Sequence, residues 1–298
     1  MKTPSYWNKK NLQSVVLWPL GCLYNLATKL NIKFSHPRSV NKPVICIGNL
    51  TAGGTGKTPV AVSLAEITQF LGKKTFFVSR GYGGKLKDVI VDNKKHSAAE
   101  VGDEPLLLSR RAQVVVNPNR WQGACKAVEN GADLIIMDDG FQNPGLKKDL
   151  SFLVFDGGFG YGNGWGIPAG PLRESLSDGL KRAQAIIIIG KDKHNLAEEF
   201  NFLPVFKGSI APKPLKINNP NATTVPKIKK IPNAVQLFRC IICLSPCRNA
   251  RDTIGNITVA IATPTTLGTL INVCTDPVAI PYNSVACATP LLFKALTT

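Results

Sequence analysis

The chain has 298 residues, of which 44% are hydrophobic and 18% charged, a balance that excludes disorder throughout and suits one large or two medium packed domains. Lysine and arginine outnumber aspartate and glutamate by 36 to 19, a formal net charge of +17. An excess of that size calls for an anionic partner, which leaves nucleic acid, a nucleotide or an anionic membrane surface as the classes.

Residues 1 to 34 form a first unit. It starts basic, with Lys2, Lys9 and Lys10, and continues with Leu12, Val16, Leu20, Leu23, Leu26 and Leu30 at roughly helical spacing. Asn11, Ser14, Asn25, Thr28 and Lys29 occupy the other faces, and the apolar run is well short of the roughly 20 residues a membrane span needs. The pattern predicts an interfacial helix resting on an anionic membrane surface with its lysines toward the head groups; a helix packed on its own domain is the alternative. The apolar stretch from Val15 to Tyr24 is broken by Pro19 and Gly21 and lacks an A-x-A site, so no cleavable signal is read and the catalytic loop is expected in the cytosol.

From Lys42 onward short β-rich runs alternate with helical ones, which predicts an α/β fold: a doubly wound, mostly parallel sheet of the P-loop NTPase kind. The expected strands are 44–50, 74–80, 113–117, 133–139, 150–156 and 184–190, with helices at about 59–71, 104–112, 120–130 and 174–182. Ligands of such sheets bind beyond the carboxyl ends of the strands.

The loop after the first strand reads Thr51-Ala52-Gly53-Gly54-Thr55-Gly56-Lys57-Thr58. It departs from a strict phosphate loop at Thr51, but its glycines let backbone N–H groups turn inward around phosphate oxygens. Lys57 is placed to reach the β and γ phosphates of a nucleoside triphosphate, Thr58 to put a hydroxyl on Mg²⁺, and the following helix points its positive end at the site. A second metal anchor is expected at Asp138 and Asp139, adjacent carboxylates ending an apolar strand. The stretch VGDEPLLLSRR, 101–111, has two readings: Asp103 and Glu104 as carboxylates in the first turn of a helix, or Asp103 as the base that takes the proton from an attacking hydroxyl. Two further loops follow strands, SRGYGG at 79–84 and the glycine-dense 158–174 with Trp165 and Arg173, the latter compatible with a lid or acceptor site.

After about residue 212 the character changes. Residues 213–298 contain no Glu, Trp or His, only Asp252 and Asp276 as acids, and no sustained period. Five of the eight cysteines lie after residue 239, including the C-x₂-C-x₃-C cluster of Cys240, Cys243 and Cys247, whose spacing supports a four-ligand zinc site only weakly. The other three, Cys22, Cys46 and Cys125, read as buried free thiols of a reducing compartment.

In order and spacing, GNLTAGGTGKTP, SRGYGG, GDEP, DDGFQ and PAGPLRE closely resemble the motifs of the lipid A disaccharide 4′-kinases (tetraacyldisaccharide 4′-kinases) of Gram-negative bacteria over roughly residues 1 to 212. The resemblance implies ATP- and Mg²⁺-dependent phosphorylation of the 4′ hydroxyl of a tetraacylated glucosamine disaccharide 1-phosphate at the cytoplasmic face of the inner membrane. It implies nucleotide and metal roles for Lys57 and Thr58, a metal-proximal role for Asp138 and Asp139, and general-base catalysis by Asp103. Arg80, Tyr82, Arg120 and Arg173 fall in or near the motifs, as candidate contacts to acceptor or phosphates. The family pattern differs in having His where Asn143 stands, Leu where Ile167 stands, and a C-terminal Asp-His-His motif; the histidines here are His36, His96 and His194, none in such a motif. The tail from about residue 217 therefore reads as sequence in a shifted frame, and weak or no activity is expected of the chain. A different class, a membrane-associated P-loop switch ATPase without a lipid acceptor, would carry an early lysine where Ala52 stands. Nucleic acid is not expected as a partner, since residues 213–298 hold nine basic and two acidic side chains of the excess and no nucleic-acid module accompanies the rest.

Overall fold

A computed structural model describes residues 4–210; the tail and its cysteine cluster lie outside the described residues. A short 3-10 turn, Ser5–Trp7, precedes helix α1 (Leu12–Phe34), and then come β1 (Val44–Gly48), α2 (Lys57–Phe70), β2 (Thr75–Ser79), β3 (Val89–Ile90), α3 (Ala98–Val101), α4 (Asp103–Leu108), β4 (Gln113–Val116), α5 (Arg120–Glu129), β5 (Leu134–Asp138), β6 (Leu150–Asp156), α6 (Leu176–Leu180), β7 (Ala185–Ile189), α7 (Leu196–Glu199) and β8 (Val205–Gly208). The strands form one eight-stranded sheet ordered β3-β4-β2-β5-β1-β6-β7-β8. Every pairing is parallel except β3 with β4. This is the P-loop NTPase-like α/β architecture.

Both faces of the sheet are covered, which is why its central strands read as unbroken apolar runs. Along β1, Val44 and Cys46 join one buried layer with Phe76, Ile135 and Phe155. Ile45 and Ile47 join the opposite layer with Phe77, Ile136 and Phe152, as the period of two in a strand requires. Strand β1 lies between β5 and β6, so the chain reverses its winding there and the carboxyl end of β1 opens into the crevice where such sheets bind ligands.

The sequence pattern missed the edge strands β3 and β8 and the four-residue helices α3 and α7. β3 has two residues and β8 carries Lys207 and Gly208, so neither buries enough to leave an apolar run. Cys22 corrects an expectation: it is a free thiol but exposed, because it lies on the outward side of α1, whereas Cys46 is buried and Cys125 half-buried.

Helix α1 runs straight through Pro19, its start closed by a capping box between Asn11 and Ser14. Its apolar side is uncovered: Leu12, Val16, Leu20, Leu23 and Leu26 are all more than half exposed. The helix docks through its small and polar side instead. A Cβ on Gly21 would stand 2.8 Å from the Gly166 carbonyl oxygen, so only glycine permits this approach. Trp18 packs against Trp165 with the rings tilted by 52° and their centroids 6.4 Å apart, Trp7 Nε1 donates to the Pro168 carbonyl at 3.0 Å, and Lys29 pairs with Asp178 at 3.3 Å. Lys10 lies over the Trp165 ring, so Lys10 and Lys29 are engaged by the protein itself. No helix among the described residues is long and apolar enough to cross a membrane.

Gly48 ends β1 beneath Phe141, where an added Cβ would fall 2.3 Å from the Phe141 Cβ. Phe141 is fully buried and has nowhere to retreat. Gly48→Ala is expected to destabilise the chain by about 2–3 kcal/mol through overpacking, read as a lowered urea midpoint at unchanged slope; an unchanged midpoint would show that the Phe141 turn yields freely.

Candidate active site

The site begins where β1 ends. Gly56, at φ 83°, is the N-cap of α2, so the helix opens directly behind the glycine loop and aims its N-terminal N–H groups at it. The start of the loop is stitched to the 158–174 segment: Ala52 N–H donates to the Pro171 carbonyl and Arg173 N–H to the Leu50 carbonyl, both at 2.7 Å. The Asn49 side-chain amide donates to the Thr51 carbonyl at 2.6 Å. Lys57 is buried, with Nζ 3.7 Å from Asp139 Oδ1, and the Thr58 hydroxyl donates to Asp138 Oδ2 at 3.2 Å. Thr55 has a buried hydroxyl without a partner.

Strand β5 delivers the carboxylates. Asp138 is 4% exposed, and its pKa is pushed up to about 7 by burial first and by the nearby Glu104 second, against the pull of Lys57 and the Thr58 hydroxyl. Its Oδ1 is buried with no hydrogen-bond partner. Asp139, at φ 51°, occupies a backbone region that non-glycine residues visit rarely. Its Oδ1 accepts from Arg173 Nη1 at 2.8 Å while standing within ion-pair range of Lys57.

An orphaned carboxylate oxygen beside a hydroxyl and a second carboxylate is a donor set of hard oxygens that fits a divalent cation such as Mg²⁺. Among the described residues no group of three or more His, Cys, Asp or Glu could hold a metal alone. The set suits a cation that keeps water and phosphate ligands rather than one caged by protein.

A cleft of about 1030 Å³ opens in front of the aspartates. Its walls hold Arg80 and Tyr82 from the 79–84 loop, Asp103 and Glu104 from the start of α4, Arg120 from α5, and Arg173. Arg120 is buried with its Nε unpartnered, and burial, followed by the charge of Arg80, lowers its pKa to about 10. Asp103 and Glu104 are exposed in the first turn of α4. The helix-start description of Asp103 is thus correct, and it coexists with a place on the cleft wall. Tyr82 is 88% exposed.

The sequence-derived residues gather from two sides, with Thr51 to Thr58 approaching the aspartates from β1 and Arg80, Tyr82, Asp103, Arg120 and Arg173 facing the cleft. Three features go beyond the sequence reading. Tyr24, Thr28 and Asn31 of α1 line the same cleft; their spacing of four and three on one helix face, beside the leucine stripe, was the available signal. Glu104, marked by the sequence only as a helix-start residue, is on the same lining. Gln142 donates to the Asn49 carbonyl at 2.9 Å and to Glu174 Oε1 at 3.0 Å; nothing local in sequence marks such a pair.

The family model for tetraacyldisaccharide-1-P 4′-kinase matches residues 13–241. The chain is 48% identical over 222 residues to the tetraacyldisaccharide 4′-kinase of Parvibaculum lavamentivorans, covering 71% of this chain and 65% of that one. It is 42% identical over 248 residues to that of Rhodospirillum centenum, covering 81% and 74%. Among solved structures, LpxK from Aquifex aeolicus in complex with ATP superposes with a TM-score of 0.57 at 31% identity, covering 66% of this chain and 64% of that one. The chain thus spans about two thirds of the length of the relatives it matches.

Asp138 generates a pH signature in the nucleotide-free protein. Its folded pKa of about 7 lies above the ordinary 3.8, so the stability tied to its proton is complete below pH 3.8 and disappears as pH rises through 7. Asp138→Asn removes that loss. The variant is expected to melt above the wild type by a margin that widens from pH 5 to pH 8, on the order of 3 kcal/mol at the alkaline end. A constant margin across that range would mean the carboxylate is already ionised.

Proposed function

The chain belongs to the tetraacyldisaccharide 4′-kinase family, and from that premise we propose that it transfers the γ-phosphoryl group of ATP to the 4′ hydroxyl of a tetraacylated glucosamine disaccharide 1-phosphate. The observation that supports this reading is a single cleft lined both by Asp103, Asp138, Asp139 and Arg173 and by Tyr24, Thr28 and Asn31 of α1. An acceptor with a sugar head and acyl tails can place its head in that cleft while its tails follow the exposed leucines of the same helix. In this assignment residues 1–34 are the membrane-associated helix, residues 35–212 the kinase core, and the working location is the cytoplasmic face of the bacterial inner membrane.

The glycine loop 51–58 would cradle the phosphates with its backbone N–H groups, and Lys57 would bring a cation to the β and γ oxygens. Thr58, Asp138 and Asp139 would hold Mg²⁺, which when bound neutralises developing charge on those oxygens. Asp103, exposed on the cleft wall, would accept the proton of the 4′ hydroxyl. Arg173 holds Asp139 in place, and Arg80 and Arg120 supply positive charge for the 1-phosphate or the transferring group.

The rival P-loop switch ATPase needs a second lysine early in the loop, and that place is Ala52. It would also leave the α1 wall of the cleft without a purpose.

Incubating the full chain with radiolabelled ATP, Mg²⁺ and the tetraacyldisaccharide 1-phosphate in mixed micelles tests the proposal. Label is expected in the lipid, at a rate below that of the intact relatives because the Asp-His-His motif is missing. Joining residues 1–210 to the C-terminal part of the Parvibaculum relative is expected to raise it. Asp103→Asn should lower kcat by about 10²–10⁴-fold with ATP binding retained, and Lys57→Ala should weaken ATP binding itself. ATP turnover without lipid that climbs with protein concentration, and no labelled lipid from either chain, would favour the switch ATPase.

A further inference from the structure

Two cations lying outside all five sequence motifs converge on the turn that follows the paired aspartates. Arg182, just beyond α6, sets its guanidinium 4.4 Å from the centre of the Phe141 ring. It donates from Nη1 to the Phe141 carbonyl at 3.3 Å and from Nη2 to Glu174 Oε2. Lys148 sends its Nζ to the same Phe141 carbonyl at 3.4 Å and to the carbonyl of Asn143. Glu174 is 3% exposed, and its other oxygen accepts from Gln142.

The turn needs outside support. Asp139 leaves β5 in the left-handed region, and the segment keeps few backbone bonds of its own, Asp139 N–H to the Ile47 carbonyl and Asn143 N–H to the Gly140 carbonyl. A residue held in that region persists only where its surroundings over-determine it. Glu174 directly follows Arg173, so one short stretch grips the turn twice, through Arg173 to Asp139 and through Glu174 to Gln142. Arg182 holds that stretch and the turn together. Its planar fork reaches a carboxylate and a carbonyl at once while stacking on an aromatic face, which a lysine cannot reproduce.

We infer that Arg182, assisted by Lys148, is a positioning residue that fixes the 138–143 turn so that the two aspartates meet magnesium and nucleotide in a single arrangement. Arg182 acts through Glu174, Gln142 and Phe141, not on any reacting group. The inference rests on the proposed ATP- and Mg²⁺-dependent phosphotransfer.

The test uses full-length wild type, Arg182→Lys and Arg182→Gln, with thermal melts and titrations of the fluorescent nucleotide mant-ATP in Mg²⁺ and in EDTA. Affinity in EDTA, set by the glycine loop, is expected to stay within about twofold in all three. The gain in affinity on adding Mg²⁺ is expected to fall about fivefold in Arg182→Lys, although its melting point stays close to wild type because Glu174 keeps a cation, and about tenfold in Arg182→Gln. Should Arg182→Gln fail to fold, Arg182→Lys decides alone. A full Mg²⁺ gain in Arg182→Lys would reduce Arg182 to a charge partner of Glu174 and overturn the inference. So would a lowered melting point in Arg182→Gln with the gain intact. A wild type that labels no lipid while the Mg²⁺ gain depends on Arg182 as described would overturn the acceptor assignment and uphold the positioning role.

Discussion

The register between β1 and β5 is the constraint on which the site depends. Ile47 pairs with Asp138 across the two parallel strands, and the next residue, Asp139, donates its N–H to the Ile47 carbonyl at 3.0 Å. One strand therefore releases the glycine loop at the same height at which its neighbour releases two carboxylates. From that alignment follow the short reach from Thr58 to Asp138 and the closeness of Lys57 to Asp139. A slip of one residue would turn both aspartates to the opposite faces of the sheet and send an apolar side chain into the site.

Burial of Asp138 adds the electrostatic half of the same constraint. A buried carboxylate with one oxygen unpartnered resists ionisation, and a cation on the free oxygen would end that resistance. Asp139 is treated differently. It is about one-third exposed and set between Lys57 and Arg173, so its charge is balanced by protein cations on both sides. Two adjacent aspartates thus acquire different work from their surroundings alone, which is a recurring way of dividing roles between like groups.

What was legible in the sequence follows from range. Strands β1, β2, β4, β5, β6 and β7 show as apolar runs because helices cover both faces, and the glycine loop shows because its geometry is local. The edge strands β3 and β8 bury too little to leave a pattern. In the site, Lys57, Thr58, Asp138 and Asp139 could be grouped by motif. Arg182 lies outside every motif, and although Gln142 and Glu174 each end one, their contact could not be read: 32 residues separate them, and their relation exists only once β5 and the glycine-dense segment are folded side by side. Cys22 was misjudged for a related reason, since the spacing of leucines defines an apolar side of α1 without saying whether the protein or something else covers it.

That last ambiguity resolves into a structural argument about the acceptor. Helix α1 is fastened by the side that carries Gly21, against Gly166, with Trp18 packing on Trp165, and its leucines face outward. The segment that fastens it, 158–174, is also the one that stitches the start of the phosphate loop through Pro171 and Leu50 and that carries Arg173 to Asp139. A single glycine-rich connection thereby sets the distance between an exposed apolar helix and the place where phosphate would be transferred. Glycine suits the task because the helix and the loop must approach to backbone contact, and the two tryptophans supply the bulk that stops them from sliding. For a substrate whose tails stay in a membrane while one hydroxyl must reach a nucleotide, that separation is the property to hold constant. The contacts of the 158–174 segment with both the helix and the loop set it without asking the helix to enter the core.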